Sequence, residues 1–253
     1  MGFSDGPRSR GMLRLTAKSL CLDKDNNVYL NMLTVEQSNL AAAPKEPPFR
    51  WLSYHVKEVF MAFLPKRFQL NDTTKLQITC GPRGGEPQYL EVLGTSEYYV
   101  EDFDFAHFYA VQGRERDDFL LDVIESCLVD IDNKRQLDPT TAGCITSTVA
   151  KVREEDFCFS REVKKLSRST PCRKLRFIVS RHLNRDVGEG WSIDITKRNK
   201  EVLDRQWIGD VPDFLDRTEQ YRLSRWIEDS FQIVDPFARV VCEVDARPYL
   251  DRL

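Results

Sequence analysis

The segment Arg116 to Arg135, RDDFLLDVIESCLVDIDNKR, constrains the fold more than any other stretch of the chain. Phe119, Leu120, Val123, Ile124, Cys127, Leu128 and Ile131 recur at steps of one, three and four. A helical backbone brings such positions onto one stripe. Acids open the segment and Lys134-Arg135 close it, each sign at the end where the helix macrodipole favours it. The spacing predicts a helix of about five turns, buried along one side. Asp117, Asp118, Asp122, Glu125, Asp130 and Asp132 fall mostly between the apolar positions, so the other side is expected to be acidic.

Strand patterns supply the layer this helix needs. Met12 to Leu22, the turn cluster Asp23-Lys24-Asp25-Asn26-Asn27 and Val28 to Met32 read as a β-hairpin. Asp23, Asp25 and Asn27 match the first ligands of an EF-hand. The pattern fails at Val28, where glycine belongs, and at Thr34, where glutamate belongs. Ala41 to Pro48 is a proline-bearing connection, and Trp51 to Leu64 a helix ended by Pro65. Leu76 to Cys80 and Tyr89 to Leu93 read as strands joined across Gly81-Pro82-Arg83-Gly84-Gly85 as a hairpin. That loop lacks the Gly-Lys-Ser/Thr ending of a phosphate cradle.

Asp138 to Gly143 breaks the pattern and divides the chain into an N-terminal half, 1–137, and a C-terminal half, 138–253, or lies within one continuous domain. Ile145, Val149 and Val152 mark a short helix. Leu175 to Val179, Trp191 to Ile195 and Val202 to Ile208 are joined by short turns, so an antiparallel meander follows. Asp210 and Pro212 suit a helix start, with Leu223, Trp226 and Ile227 as an apolar helical face. Ile233-Val234 and Arg239 to Val244 read as final strands. Asp118-Phe119-Leu120 and Asp213-Phe214-Leu215 sit at comparable places and suggest an internal duplication. The expected class is α+β: antiparallel sheets or meanders in both halves, with a few amphipathic helices packed on them.

Catalytic signatures are missing from the sequence. There is no GxSxG, SxxK or GxGxxG, so no cofactor is expected. His55, His107 and His182 show no metal-binding spacing, and the seven cysteines form no CxxC pair, so no metal is expected. Cysteine–histidine pairs such as Cys158 with His182, or Cys80 with His107, require contacts that only the fold can supply. Unpaired cysteines point to a reducing cytoplasm. No apolar run is long enough for a membrane span, and residues 1–11 lack a secretory apolar core. No membrane partner is expected.

Charge is segregated along the chain. Residues 86–132 hold thirteen acids against Arg114 and Arg116, although the whole chain is only at −3. Arg161, Lys164, Lys165, Arg168, Arg173, Lys174, Arg176, Arg181 and Arg185 are opposed only by Glu162. The leading expectation is a non-enzymatic binding protein, an immunity protein or inhibitor for example. It would engage a basic protein partner through Glu97, Glu101, Asp102, Asp104, Asp117, Asp118 and Asp122. The alternatives are nucleic-acid binding through the basic segment, and an enzyme whose site assembles from scattered residues. Phe177 is the lone aromatic residue in the basic segment, so stacking on bases is poorly provided for. The two charged tracts also suit pairing with each other, within one molecule or across a homodimer.

Overall fold

The computed structural model describes residues 28–42, 46–137 and 139–253. The hairpin and the acidic turn expected before Val28 lie outside the described residues.

The organising helix forms as its spacing predicts, as α3, Arg114–Arg135. Leu120, Leu121, Ile124, Cys127, Leu128 and Ile131 are buried on its inner side. Glu115 and Asp117 occupy the first turn, Lys134 and Arg135 the last, and Gln136 closes it in a left-handed conformation. Its stripe meets α1, Phe49–Phe63, and α4, Pro139–Glu154. α1 buries Val56, Val59 and Phe60, and ends where Leu64 turns extended ahead of Pro65. A short α2, Phe105–Ala110, adds Phe108 to a cluster of rings with Phe49, Phe103 and Phe119.

These helices pack with a four-stranded sheet of order β1-β2-β4-β3: Met32–Gln37, Lys75–Cys80, Thr95–Val100 and Tyr89–Val92. The class is α+β as expected, but this sheet is mixed. β2 runs parallel to both β1 and β4, and only β3 and β4 are antiparallel. The hairpin expected between β2 and β3 is therefore absent. Gly81 to Gln88 carries the chain past the place beside β2, and β4 returns to fill it. The hairpin turn is Leu93-Gly94, where both residues have positive φ.

Ile145, Val149, Val152 and Phe157, all downstream of Asp138, join the cluster built by α1, α3 and the first sheet. The second cluster begins with Leu166. It lies between two antiparallel sheets. One is the expected meander: β5 (Phe159–Glu162), β7 (Leu175–Asn184), β8 (Gly188–Lys197) and β9 (Val202–Trp207), with β6 (Arg168–Ser169) also on β7. The other comprises β10 (Leu223–Ile227), β11 (Ser230–Val234) and β12 (Val240–Asp245), followed by the single turn α5 (Arg247–Leu250).

The helix expected after Asp210 is replaced by an irregular segment and β10. Leu223, Trp226 and Ile227 belong to that strand: Leu223, Arg225 and Ile227 face outward, while Ser224 and Trp226 turn inward. A five-residue run satisfies both periods, and pairing with β11 selects the strand. The two DFL triplets are not equivalent. Asp118-Phe119-Leu120 lies within α3, whereas Asp213-Phe214-Leu215 lies in the irregular segment. The halves have different plans, and the suggestion of duplication fails.

Candidate functional site

A cleft of about 640 Å³ opens between the end of β4 and the outer flank of α3. Tyr98, Tyr99, Glu101 and Asp102 form one wall, and Phe119, Asp122, Val123, Ser126, Cys127 and Asp130 the other. Arg83 and Gln88 close its rim. The local folding rules explain why these groups converge. β4 alternates inward and outward residues, so Tyr98 turns toward the helices. The chain then leaves the sheet at Val100, exposing Glu101 and Asp102. On α3, Phe119, Asp122, Val123, Ser126 and Asp130 follow one another at steps of one, three and four along one flank.

A hydrogen-bond chain fixes the floor. Tyr98 donates from its phenol to Asp130 Oδ2 at 2.6 Å and accepts from Gln88 Nε2 at 3.0 Å. Lys134 reaches Asp130 at 2.6 Å and donates to Gln88 Oε1 at 3.0 Å. Burial pushes the Asp130 carboxyl upward, but the bonds from Lys134 and Tyr98 outweigh it and hold Asp130 below the usual aspartate value. Burial, then the bond to Asp130, raises the Tyr98 phenol. Burial, then the Asp130 charge, pushes the Cys127 thiol up to about 12, so it is a neutral packing group at ordinary pH.

The cleft is lined by four carboxylates and one guanidinium. Arg83 meets Glu101 at 3.1 Å, but both side chains are well exposed and the pair is weak. Asp102 has no ion-pair or hydrogen-bond partner among the described residues. Asp122 meets Arg153 from α4. The arrangement suits a cationic side chain that enters between tyrosine and phenylalanine rings and ends among carboxylates.

The seven acids singled out in the sequence separate into different roles. Glu101, Asp102 and Asp122 line the cleft. Glu97, adjacent to Tyr98 in a strand whose side chains alternate, is half-buried and accepts from Gln77 and Thr79 of β2. Asp104 caps α2, accepting from the His107 amide at 2.8 Å. Asp118 is held by Arg114 and Arg153. Asp117 is the clear correction: it is 1 % exposed and faces inward, with His55 Nε2 at 3.0 Å and Arg185 bonded to it. It sits one position before the outward acids, where the helical stripe has already turned toward α1. Many of the acids of α3 thus meet the chain's own bases: Asp118 and Asp122 on Arg153, Asp130 on Lys134, Asp117 on Arg185.

The basic segment is also dispersed. Arg176 is bound to Glu162, Arg185 to Asp117, and Arg181 to Glu189 and Glu58. Arg168, Arg173 and Lys174 are exposed at or beside the β6 strand, and Arg161, Lys164 and Lys165 line a separate cavity. Phe177 is fully buried against Trp226 and Phe231, so it presents no face to a base.

Neither suggested cysteine–histidine pair forms. The His182 nitrogens lie 3.0 Å from Ser160 Oγ and 2.8 Å from Ser192 Oγ. His107 packs edge-on against Phe119, while Cys80 is buried elsewhere. Among the described residues, no group of three or more histidine, cysteine or acidic side chains is placed to hold a metal ion, and no helix is long and apolar enough to cross a membrane.

Sequence reasoning missed Tyr98, Tyr99 and Asp130 as cleft residues. Their signal was present: the acids of 97–104 are interleaved with rings, and Asp130 continues the flank of Asp122 and Ser126. It also missed Glu189, which is fully buried. Glu189 Oε2 accepts from Tyr54 at 2.8 Å and Arg181 at 2.7 Å, and Oε1 from Trp191 Nε1 at 2.7 Å and the Arg217 amide at 2.9 Å. Burial, then the charges of Glu58 and Glu189, raises the Tyr54 phenol, so it stays a donor. This carboxylate ties α1 to the meander.

No protein-family model, curated protein or solved structure matches this chain.

Proposed function

We propose that this protein is a non-enzymatic binding protein that engages a basic segment of another protein through the cleft between β4 and α3. The observation that carries the reading is that Asp102, unpartnered among the described residues, and the weakly paired Glu101 stand beside the rings of Tyr98, Tyr99 and Phe119 in one concave site, with Asp122 and Asp130 held there by Arg153 and Lys134. Arginine is the side chain best matched to it. Its planar guanidinium bonds carboxylates in a forked geometry and stacks on aromatic faces. The acids at the rim set the rate of encounter and the choice of partner, and the rings supply contact area. An inhibitor or immunity protein works in this way when the covered surface is the partner's functional one.

The reading supports a narrower set of contact residues than the sequence suggested. Glu101, Asp102 and Asp122 touch the partner; Glu97, Asp104, Asp117 and Asp118 hold the fold. The test is calorimetric titration of an arginine-rich peptide bearing alternate aromatic residues. The triple variant Glu101→Gln/Asp102→Asn/Asp122→Asn is expected to weaken binding by about tenfold or more, because charge-assisted bonds are lost. Undiminished affinity in that variant, with the fold retained, removes the proposal.

A further inference from the structure

A second cavity, of about 860 Å³, lies where the end of α1 meets β5 and the turn between β5 and β6. Its charge is opposite to that of the acidic cleft. Lys66, Arg161, Lys164, Lys165 and Arg181 line it, against the single acid Glu162. Glu162 is already taken by Arg176 at 2.7 Å. Arg181 is taken by Glu189 and Glu58, yet its Nε is buried with no acceptor. Lys66, Arg161, Lys164 and Lys165 are exposed and have no carboxylate partner among the described residues. Arg185, Arg153, Lys134 and Arg205, by contrast, each sit on an aspartate. What sets Lys66, Arg161, Lys164 and Lys165 apart is that they gather around one hollow, where they create a local positive potential.

The rest of the lining is apolar. Leu30, Met61, Leu64, Phe159 and Val163 contribute to it. A simple inorganic anion needs no such surface. We propose that this cavity binds a small phosphate-bearing ligand with a ring or apolar group, a nucleotide by chemical class. The lysines and Arg161 would hold the phosphates, and the apolar wall would cover the ring.

A nucleic-acid strand is the less favoured occupant. A strand needs cations that continue along its path and rings on which successive bases stack. Here Arg176 and Arg185 are diverted to Glu162 and Asp117, and Phe177 is sealed in the core. This site is separate in residues and sign from the acidic cleft, so either proposal stands without the other.

The test is titration calorimetry of the full chain at low salt with a nucleoside triphosphate, with inorganic tripolyphosphate, and with a single-stranded oligonucleotide. A saturable one-to-one heat is expected for the nucleoside triphosphate, with tripolyphosphate weaker. The double variant Lys164→Ala/Lys165→Ala removes two exposed side chains and is expected to weaken nucleotide binding about tenfold or more. Arg198→Ala, an exposed cation outside both cavities, is the control and leaves it unchanged. No saturable binding, an affinity undiminished in the double variant, tripolyphosphate bound as tightly as the nucleotide, or binding of the oligonucleotide alone would each overturn the assignment. Should the double variant fail to fold, Lys66→Ala carries the same expectation from another element.

Discussion

Tyr54 on α1 donates its phenolic hydrogen to Glu189 on β8 across 2.8 Å, in a contact between residues 135 positions apart. The acceptor is fully buried and has four donors, two on each oxygen. Glu189 is therefore the joint between the two core clusters. Glu189→Gln keeps the size but replaces one accepting oxygen with a donor, so Arg181 and Tyr54 or Trp191 and the Arg217 amide lose their acceptor. Arg181 keeps Glu58 at 3.1 Å, so the loss comes from buried donors left without an acceptor, about 1–3 kcal/mol each. Urea denaturation should show that loss, while Tyr54→Phe should cost about 1 kcal/mol, the value of one hydrogen bond.

Asp117 gives a prediction of the opposite kind. Its acidic neighbours on α3 face outward, but it is buried beneath His55 and Arg185. Arg185 is 42 % exposed, so water screens its charge and the cost of Asp117→Asn arises mainly in the buried aspartate's own bonds. A loss of about 1–3 kcal/mol is expected. Binding of an arginine-rich peptide should be unchanged in the folded variant. A specific fall in peptide affinity at full stability would place Asp117 in the recognition surface after all.

The floor of the acidic cleft has a defined response to pH. Asp130 titrates below its ordinary value of 3.8 in the folded protein. A group so depressed stabilises the fold above its unfolded value, and that contribution disappears as pH falls through the folded value. Tyr98→Phe removes one of the two hydrogen bonds that depress it. The Asp130 carboxyl followed by NMR should then titrate closer to 3.8, and the fold should lose less of its stability to acid. A carboxyl that titrates unchanged in the variant would mean that Lys134 alone sets its value.

Gly188 is required where β8 begins. Its φ is +61°, and a Cβ there would lie 2.1 Å from the carbonyl oxygen of Asp213. Gly188→Ala therefore faces backbone strain of about 1–3 kcal/mol together with a clash against main chain. Marked destabilisation is expected, read as a fall in Tm. The Asp213 contact belongs to the 210–222 segment, so that segment should also lose amide-exchange protection.

The elements that were legible in the sequence are those whose pattern is long and local. α3, α1 and the β7-β8-β9 meander are each specified by their own periodicity and turns. What escaped depended on distant partners. β10 matches a helix as well as a strand over its five residues, and only β11 decides between them. The parallel pairing of β2 with β1 and β4 leaves no mark in the intervening glycine-rich loop. For the candidate site, the acidic tract was visible, but its neutralisation was not. Arg153 lies in α4, beyond the break at Asp138, and charge counted along the chain cannot show that it lands on Asp118 and Asp122. Glu189 was hidden for the same reason: within Gly188-Glu189-Gly190 it reads as a turn residue, and its donors come from α1, β7, β8 and the 217 region.

The strand order β1-β2-β4-β3 also governs the route by which the first sheet can assemble. β2 never pairs with the strand that follows it. Lys75 sits opposite Met32 on one side and Thr95 on the other, so both its edges are satisfied only by closing long loops. The β3–β4 hairpin can zip from its Leu93-Gly94 turn, as the meander zips from its own, but the centre of the sheet must wait for a remote encounter. On a ribosome, β2 emerges with one half of its hydrogen bonds still to be synthesised. Until Thr95 to Val100 has followed, its open edge is exposed to pairing with other strands.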